Sequence, residues 1–389
     1  MMSYFGFQFK KITKHNLTII ASCILIIISF GVLFLNANQI DSGESIKGQI
    51  QGNIVIQKNN IAQDKQALKK YSPTGEGYRQ TKIALKQTKK QLQANQALIK
   101  HINKGQWGPV YKEKIKESNK MKTTGLSERN LDFVSGIKKR YQYLVKHPLP
   151  YESDAAVTGL QFWSDLNGTY WPILFTLVII FILTYLYTDA YKNGLDITTV
   201  LPINVMRKQL SNSLVGLAIS CLLYLLLSLL VFTGASLIFG TGNLQYPAII
   251  HHLVNGRQTV AVAPLATLIP QILILQFLEF IFLVLFIQLL AKLLHNQLPT
   301  LLLAVLLVVG IGLATTVIEP LAQIAQWLPN TYLNAINVVS GVVAYNINNY
   351  HINFASGVGT LLIGSLVLFS LICLLERTRT HHFKEVEVL

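Results

Sequence analysis

Few residues in this 389-residue sequence combine the types and spacing that chemistry needs. One carboxylate, Glu279, stands inside a long apolar block, in the run Gln276-Phe277-Leu278-Glu279-Phe280-Ile281-Phe282. A carboxylate in mid-span costs about 2.5 kcal/mol or more on insertion scales, so it must face protein or water. Two roles fit it: a polar, proton-sensitive point on a translocation path, or a carboxyl hydrogen-bonded to a neighbouring helix. Gln271 and Gln276 share its half of the block and suggest an inward polar stripe under either role. In another block Ser213, Ser220, Tyr224 and Ser228 fall on one face at helical spacing, and the last block carries Ser356, Thr360 and Gly364 four apart. Small residues so spaced allow close helix packing, and Gly310 and Gly312 read the same way. Gln276, Glu279, Ser220 and Tyr224 are the candidates for a path through the membrane.

Other chemistry is missing from the sequence. It has no G-x-x-x-x-G-K-[ST] phosphate loop, and no H-E-x-x-H, nucleophile elbow or Cys/His cluster. The adjacent pairs His251-His252 and His381-His382 are expected to be solvated loop residues. Cys23, Cys221 and Cys373 each lie in an apolar block, where they read as small buried residues rather than a disulfide or metal framework. These patterns point away from an enzyme and from a cofactor held by this chain.

The elements that must position Glu279 follow from composition. The chain is 51% hydrophobic and 13% charged, with a mean hydropathy of +0.42, whereas a soluble domain is about a quarter charged. Apolar runs predict six spans: Leu17–Asn36, Trp171–Tyr187, Leu214–Phe239, Pro264–Leu294, Leu301–Ile318 and Gly357–Leu375. The fourth is longer than one crossing needs, and is expected to tilt or to break at Pro270. The first is too long for a signal core and is followed by the poor cleavage site Asn36-Ala37-Asn38, so it reads as an uncleaved helix. Short basic flanks (Lys10, Lys11 and Lys14; Lys192, Arg207 and Lys208; Lys292; Arg377, Arg379 and Lys384) all fall on one side if the spans number six. Such flanks face the cytoplasm, which puts both termini inside the cell membrane.

The fold class expected is therefore an all-α polytopic protein with a large, mainly helical extracellular domain between spans one and two. Residues 1–37 hold the N-terminus and first span, 38–169 the outer domain, and 170–389 spans two to six. The outer domain has 22 basic against 11 acidic residues, a net +11; this location argues against nucleic acid as the partner. Ser127 is placed to cap a helix with the apolar face Leu131, Val134, Ile137, Tyr141 and Leu144. Residues 80–102 form a Lys/Gln-rich helix, and Ser72-Pro73-Thr74-Gly75 turns it against a helix near 63–71. Ile54-Val55-Ile56 suggests a short strand. Trp163, Tyr170 and Trp171 suit an outer interfacial belt.

The segment 189–210 is too polar to cross, yet carries Leu195, Ile197, Val200 and Leu201. That pattern predicts a short amphipathic helix at the inner interface, stopped at Pro202 and leading through Arg207 and Lys208 into span three. Here the sequence resembles the permease subunits of type-two ATP-binding-cassette exporters. They carry an acidic residue after span two, then a glycine, apolar residues, a proline and basic residues, matched by Asp189, Gly194, Leu195, Ile197, Leu201, Pro202, Arg207 and Lys208. Asp189 stands where the family often has Glu, and Gly194-Leu195 where it has Gly-Thr. Asn330-Thr331 after Pro329 replaces a proline common before span six. The layout is also similar, with broken outer helices expected over 319–350. The resemblance implies a coupling segment that docks on a separate ATPase subunit, where ATP and Mg bind. It further implies a second permease copy, identical or related, and export of an amphipathic compound, peptide antibiotic, or envelope lipid or polymer, with membrane lipid around the spans. The alternative is a membrane receptor or immunity protein that binds a ligand through the basic outer domain.

Overall fold

The computed structural model describes residues 2–39, 45–120, 127–152, 155–192, 195–196, 205–254 and 257–386. Six of its helices are long and apolar enough to cross a membrane: Asn16–Gln39, Gly159–Thr188, Met206–Phe239, Leu265–Leu294, Gln297–Ala314 and Phe354–Glu376. The expected multi-pass helical architecture is therefore present.

An amphipathic helix α1 (Met2–Thr13) precedes the first span α2 (Asn16–Gln39). Four helices follow before the second span: α3 (Ile46–Lys70), α4 (Glu76–Asn103), α5 (Gly108–Lys120) and α6 (Glu128–Lys146). α3 and α4 pair as the expected hairpin around Ser72–Gly75, with Asn95 donating to Gln57 Oε1 across it at 3.2 Å. Ile54-Val55-Ile56 lies within α3 and is not a strand, because it continues a 25-residue helix capped by Ser45 Oγ on Gly48 N. The Ser127 cap is present, its hydroxyl accepting from Asn130 N at 3.4 Å. The core under these helices is small: Ile46, Ile50, Ile102 and Val110, walled by Trp107, Tyr141 and Tyr151.

The second span is α7 (Gly159–Asp165) joined through a π-turn at Leu166–Tyr170 to α8 (Trp171–Thr188). The third is α9 (Val205–Phe239). The fourth, α10 (Leu265–Leu294), runs unbroken through Pro270. Pro270 is the sixth residue of the helix, so its missing N–H leaves the Ala266 carbonyl without an intrahelical donor, yet the helix continues through it. The fifth comprises α11 (Gln297–Val305), a second π-turn and α12 (Ile311–Ala314), so it starts and stops four residues before its sequence limits. Short pieces α13 (Glu319–Ile324), α14 (Ala335–Val339) and α15 (Val342–Asn346) fill the broken segment before the last helix, α16 (Phe354–Val386).

Two β-hairpins interrupt the helical plan. β1 (Tyr191–Lys192) pairs antiparallel with β2 (Leu195–Asp196), and β3 (Pro247–Val254) pairs with β4 (Arg257–Pro264) over eight residue pairs. The first replaces the expected helix over 191–196, where Lys192 pairs with Leu195 across Asn193-Gly194, a dipeptide suited to a two-residue turn; the rest of the expected helix, 197–204, lies outside the described residues. The second was not expected, and it places His251-His252 in a strand. His381-His382 fall within α16. Trp163 and Trp171 are buried, and Trp171 Nε1 donates to Ser29 Oγ at 3.2 Å. Of the expected interfacial belt only Tyr170 is exposed. Gln271 is also exposed, so the polar stripe on α10 is narrower than its sequence suggested.

Candidate functional site

Basic flank residues Lys11 and Lys292 lie with the ends of α8, α9 and α16 at one end of the bundle. Lys11 of α1 donates to Asp189 at the end of α8. Tyr191 stacks edge-on against His295 after α10, ring centroids 4.6 Å apart. Lys292 of α10 donates to Glu376 of α16, and Cys373 Sγ lies 3.8 Å from Met206 Sδ at the start of α9. α1, the end of α8, the start of α9, the end of α10 and the Cys373–Glu376 turn of α16 therefore share an end. α1 belongs to this site, although its sequence was read only as a basic flank. Phe5, Phe9 and Ile12 recur at helical spacing, and Ile12 is 1% exposed against the bundle; that i, i+4, i+7 pattern is the signal for it.

Of the eight proposed coupling residues, Asp189 caps α8 in the ion pair with Lys11. The backbone of Leu195 is in β2. Arg207 is exposed and Lys208 half-buried on the first turn of α9. Gly194, Ile197, Leu201 and Pro202 lie outside the described residues. α1 packs on α9 as well as on α8, so α9 and the Asp189 end of α8 are held by one helix.

The second cluster lies within the bundle, among α8, α9 and α10. Glu279 is 1% exposed and accepts from Gln276 Nε2 at 2.7 Å, with Thr176 of α8 as the other polar neighbour of its carboxyl. Tyr224 donates to Asn167 Oδ1 at 2.9 Å, and Asn167 Nδ2 donates to Trp163 O at 2.8 Å, inside the π-turn. The Tyr224 ring meets Phe175 and Phe280 edge-on at 5.7 and 5.6 Å. Ser220 is fully buried and donates to Gly216 O of its own helix at 2.9 Å. Fold packing thus brings Gln276, Glu279 and Tyr224 together, while Ser220 is satisfied locally. All four are packed within this chain, and none lines the cavities described below. Nearer the shared end, Ser213 donates to Gln288 Oε1 at 2.8 Å, while Gln209 Nε2 and Ser211 Oγ are buried without a partner among the described residues.

The opposite end joins three units. α6 packs on β3 and β4, where Gly136 leaves room for Val260 and Ile249, and Lys139 donates to Val260 O. Arg129 donates to Asn346 Oδ1 of α15 at 2.8 Å. His251 N donates to Ser340 O at 2.8 Å and its ring lies 4.4 Å from Tyr345; burial holds its imidazole below the usual range. Glu152 accepts from Asn243 N at 2.8 Å and from Thr158 Oγ1 at 3.3 Å, and burial raises its carboxyl above the usual range.

Among the described residues three cavities open beside the broken segment, two of them against membrane-spanning helices. One of about 620 Å³ lies against α16, between Gln326, Trp327 and Pro329 and the Ser356, Thr360 and Gly364 row. That row packs closely as expected: Thr360 Oγ1 donates to Gln326 O at 2.9 Å and Gly364 faces Phe282 and Pro329. The other, of about 240 Å³, lies among α8, α12 and α14, where Asn334 and Asn337 both donate to Gly168 O. Gly312 borders it near Asn330, whereas Gly310 touches nothing within 4 Å and is not a packing point. No protein-family model, curated protein or solved structure matches the chain.

Proposed function

We propose that this chain is the membrane-spanning permease subunit of an ATP-driven exporter. In this reading the chain sits in the cell membrane with both termini cytoplasmic and the α3–α6 helices outside. It pairs with a second copy or a related chain and moves an amphipathic compound, a peptide antibiotic, or an envelope lipid or polymer outward. A separate ATPase subunit binds ATP and Mg and performs hydrolysis.

The observation that carries the reading is the contact of α1 with the end of α8 and with α9. The Lys11–Asp189 pair and the buried Ile12 fasten an amphipathic helix over the segment that an ATPase would push. Exposed ion pairs are individually weak, about 0–1 kcal/mol, so the apolar seat of Ile12 and the Phe5 and Phe9 rings must carry most of the fastening. A load on this end would reach α8 and α9 together, as rigid-body switching between two states requires. Close packing supports such transmission: Gly216 of α9 sits where any Cβ would strike the Tyr187 hydroxyl of α8.

The test is a mild-detergent pull-down of the chain from its host, with mass spectrometry of what remains bound. Recovery of a phosphate-loop ATPase, lost in a Leu201→Asp variant that still reaches the membrane, is the expected result. Normal transport and normal ATPase recovery by that variant would remove the coupling assignment. Absence of any ATPase, in a preparation that preserves other complexes, would overturn the permease reading.

A further inference from the structure

Ten of the eleven net positive charges between residues 38 and 169 sit in the α3–α4 hairpin, where residues 46–104 hold 12 basic residues against Asp64 and Glu76. Their placement along the helices is not random. On α4, Arg79, Lys82, Lys86, Lys89, Lys100 and Lys104 recur at steps of three, four or their sums. At about 100° per residue they share one stripe, roughly 140° around the helix from the side that packs on α3. Lys90 lies at the edge of the stripe, about 20° beyond Arg79. On α3, Lys47, Lys58, Lys65 and Lys69 form a second stripe, roughly 90° from the packing side. Both offsets have the same rotational sense, and in an antiparallel pair equal senses bring both stripes to one face. Every residue of the two stripes is exposed, and none forms an ion pair among the described residues. The α4 stripe spans about 38 Å at 1.5 Å rise per residue.

An arrangement of this kind is costly to the fold, since like charges at i, i+3 and i+4 repel, and no acidic residue relieves it on the stripe. We infer that this face of the α3–α4 hairpin is a binding rail for a linear polymer of phosphate groups, gripped along its length by successive lysines. Charge complementarity carries the assignment, and linearity follows from the long, straight, single-sign stripe. A bilayer surface fits less well. A helix that lies on lipid sets bulky apolar residues beside its basic face, whereas the two stripes are flanked mainly by Gln, Asn, Thr and Ala, with Ile83 on α4 and Val55 on α3 as exposed apolar neighbours. The inference rests on the hairpin alone and holds whether or not the chain is an exporter permease.

The experiment uses the full chain in nanodiscs of neutral lipid. Its probes are fluorescent long-chain inorganic polyphosphate, tripolyphosphate, and vesicles rich in phosphatidylglycerol. Long polyphosphate should bind with steep salt dependence, a log–log slope near 5 for seven contacts at about 0.7 per phosphate. Tripolyphosphate at equal phosphate concentration should bind at least about tenfold more weakly, because it spans only part of the stripe. A combined Arg79→Gln, Lys82→Gln, Lys86→Gln and Lys89→Gln variant should lower the slope by about 3. A control with the same charge change, Lys112→Gln, Lys116→Gln, Lys120→Gln and Lys146→Gln, should leave affinity within about threefold. All eight side chains are exposed, and helical circular dichroism checks that both variants fold. Equal weakening by the two variants, equal binding of tripolyphosphate and the long polymer, or capture of vesicles without capture of polyphosphate would each overturn the inference.

Discussion

Replacing Gly341 by alanine should undock the β3–β4 hairpin from the broken segment before α16. Gly341 has φ +74°, and a Cβ there would lie 2.0 Å from the carbonyl oxygen of His251 and 2.9 Å from its carbon. Alanine in this left-handed region costs about 1–2 kcal/mol before any contact is counted. The struck atom is backbone, in a strand tied to β4 by eight residue pairs, so it cannot yield alone. Relief requires β3 to move as a unit, which breaks the His251 N–H bond to Ser340 O, worth about 1 kcal/mol net. Together these amount to about 2–3 kcal/mol of local stability. Amide exchange over 247–264, measured by mass spectrometry on the full chain in nanodiscs, should accelerate by roughly 30- to 150-fold at about 1.4 kcal/mol per tenfold. Gly52→Ala, in α3 with nothing within 4 Å of the added carbon, is the control and should stabilise by about 0.5–1 kcal/mol. Unchanged exchange over 247–264 in Gly341→Ala would refute the docking argument.

Two further outcomes test the interior and the joint. Glu279→Gln keeps a partner for Gln276 and should melt as the parent does in detergent, whereas Glu279→Ala strands Gln276 and should cost about 1–3 kcal/mol for the unmade bond, with a cavity added. If the carboxyl serves the transported path, Glu279→Gln also alters the pH profile of transport; an unchanged profile assigns it to packing alone. For Glu152 the folded-state pKa is raised by burial, so the folded state holds its proton to higher pH than the unfolded state does. Stability is greatest below the ordinary value of 4.5, declines as pH rises toward the raised folded value, and is level above it. Thermal melts against pH should show that decline in the parent and lose it in Glu152→Gln; parallel profiles would refute the assignment.

The spans were legible because each is a long apolar run, a signal that lipid leaves little freedom to override. The hairpins were harder to read, yet both bracket an Asn-Gly pair. Asn193-Gly194 stands between Lys192 and Leu195, and Asn255-Gly256 between Val254 and Arg257. Flanked by alternating or β-branched residues, that dipeptide is a strong short-range hairpin signal. In 191–196 it competed with apolar spacing that also suits a helix, and over 247–264 with the proximity of a span. Glu279 was legible as a buried carboxylate because of its position. Its partners were not, since Thr176 and Tyr224 come from other helices whose rotation only tertiary packing fixes. The inward face assigned to Gln271 failed for the same reason: five residues before Gln276 points to a different side of α10.

The geometry of α10 places these separate sites on one element. β4 runs directly into it, with Pro264 as its N-cap, so the strand that receives Lys139 of α6 is continuous with the helix that carries Glu279 and ends at Lys292. From Pro264 to Glu279 is about 22 Å of helix, and from Glu279 to Lys292 about 20 Å. α10 is also the most enclosed of the six spans, 67% buried through its apolar stretch against 17–50% for the others. A well-packed helix transmits displacement as a rod rather than absorbing it. A shift at the β3–β4 hairpin must therefore either move the Glu279–Gln276 pair against Thr176 or strain the Lys292–Glu376 contact. Both ends of the molecule thus meet on one element, and the buried carboxylate lies midway between them.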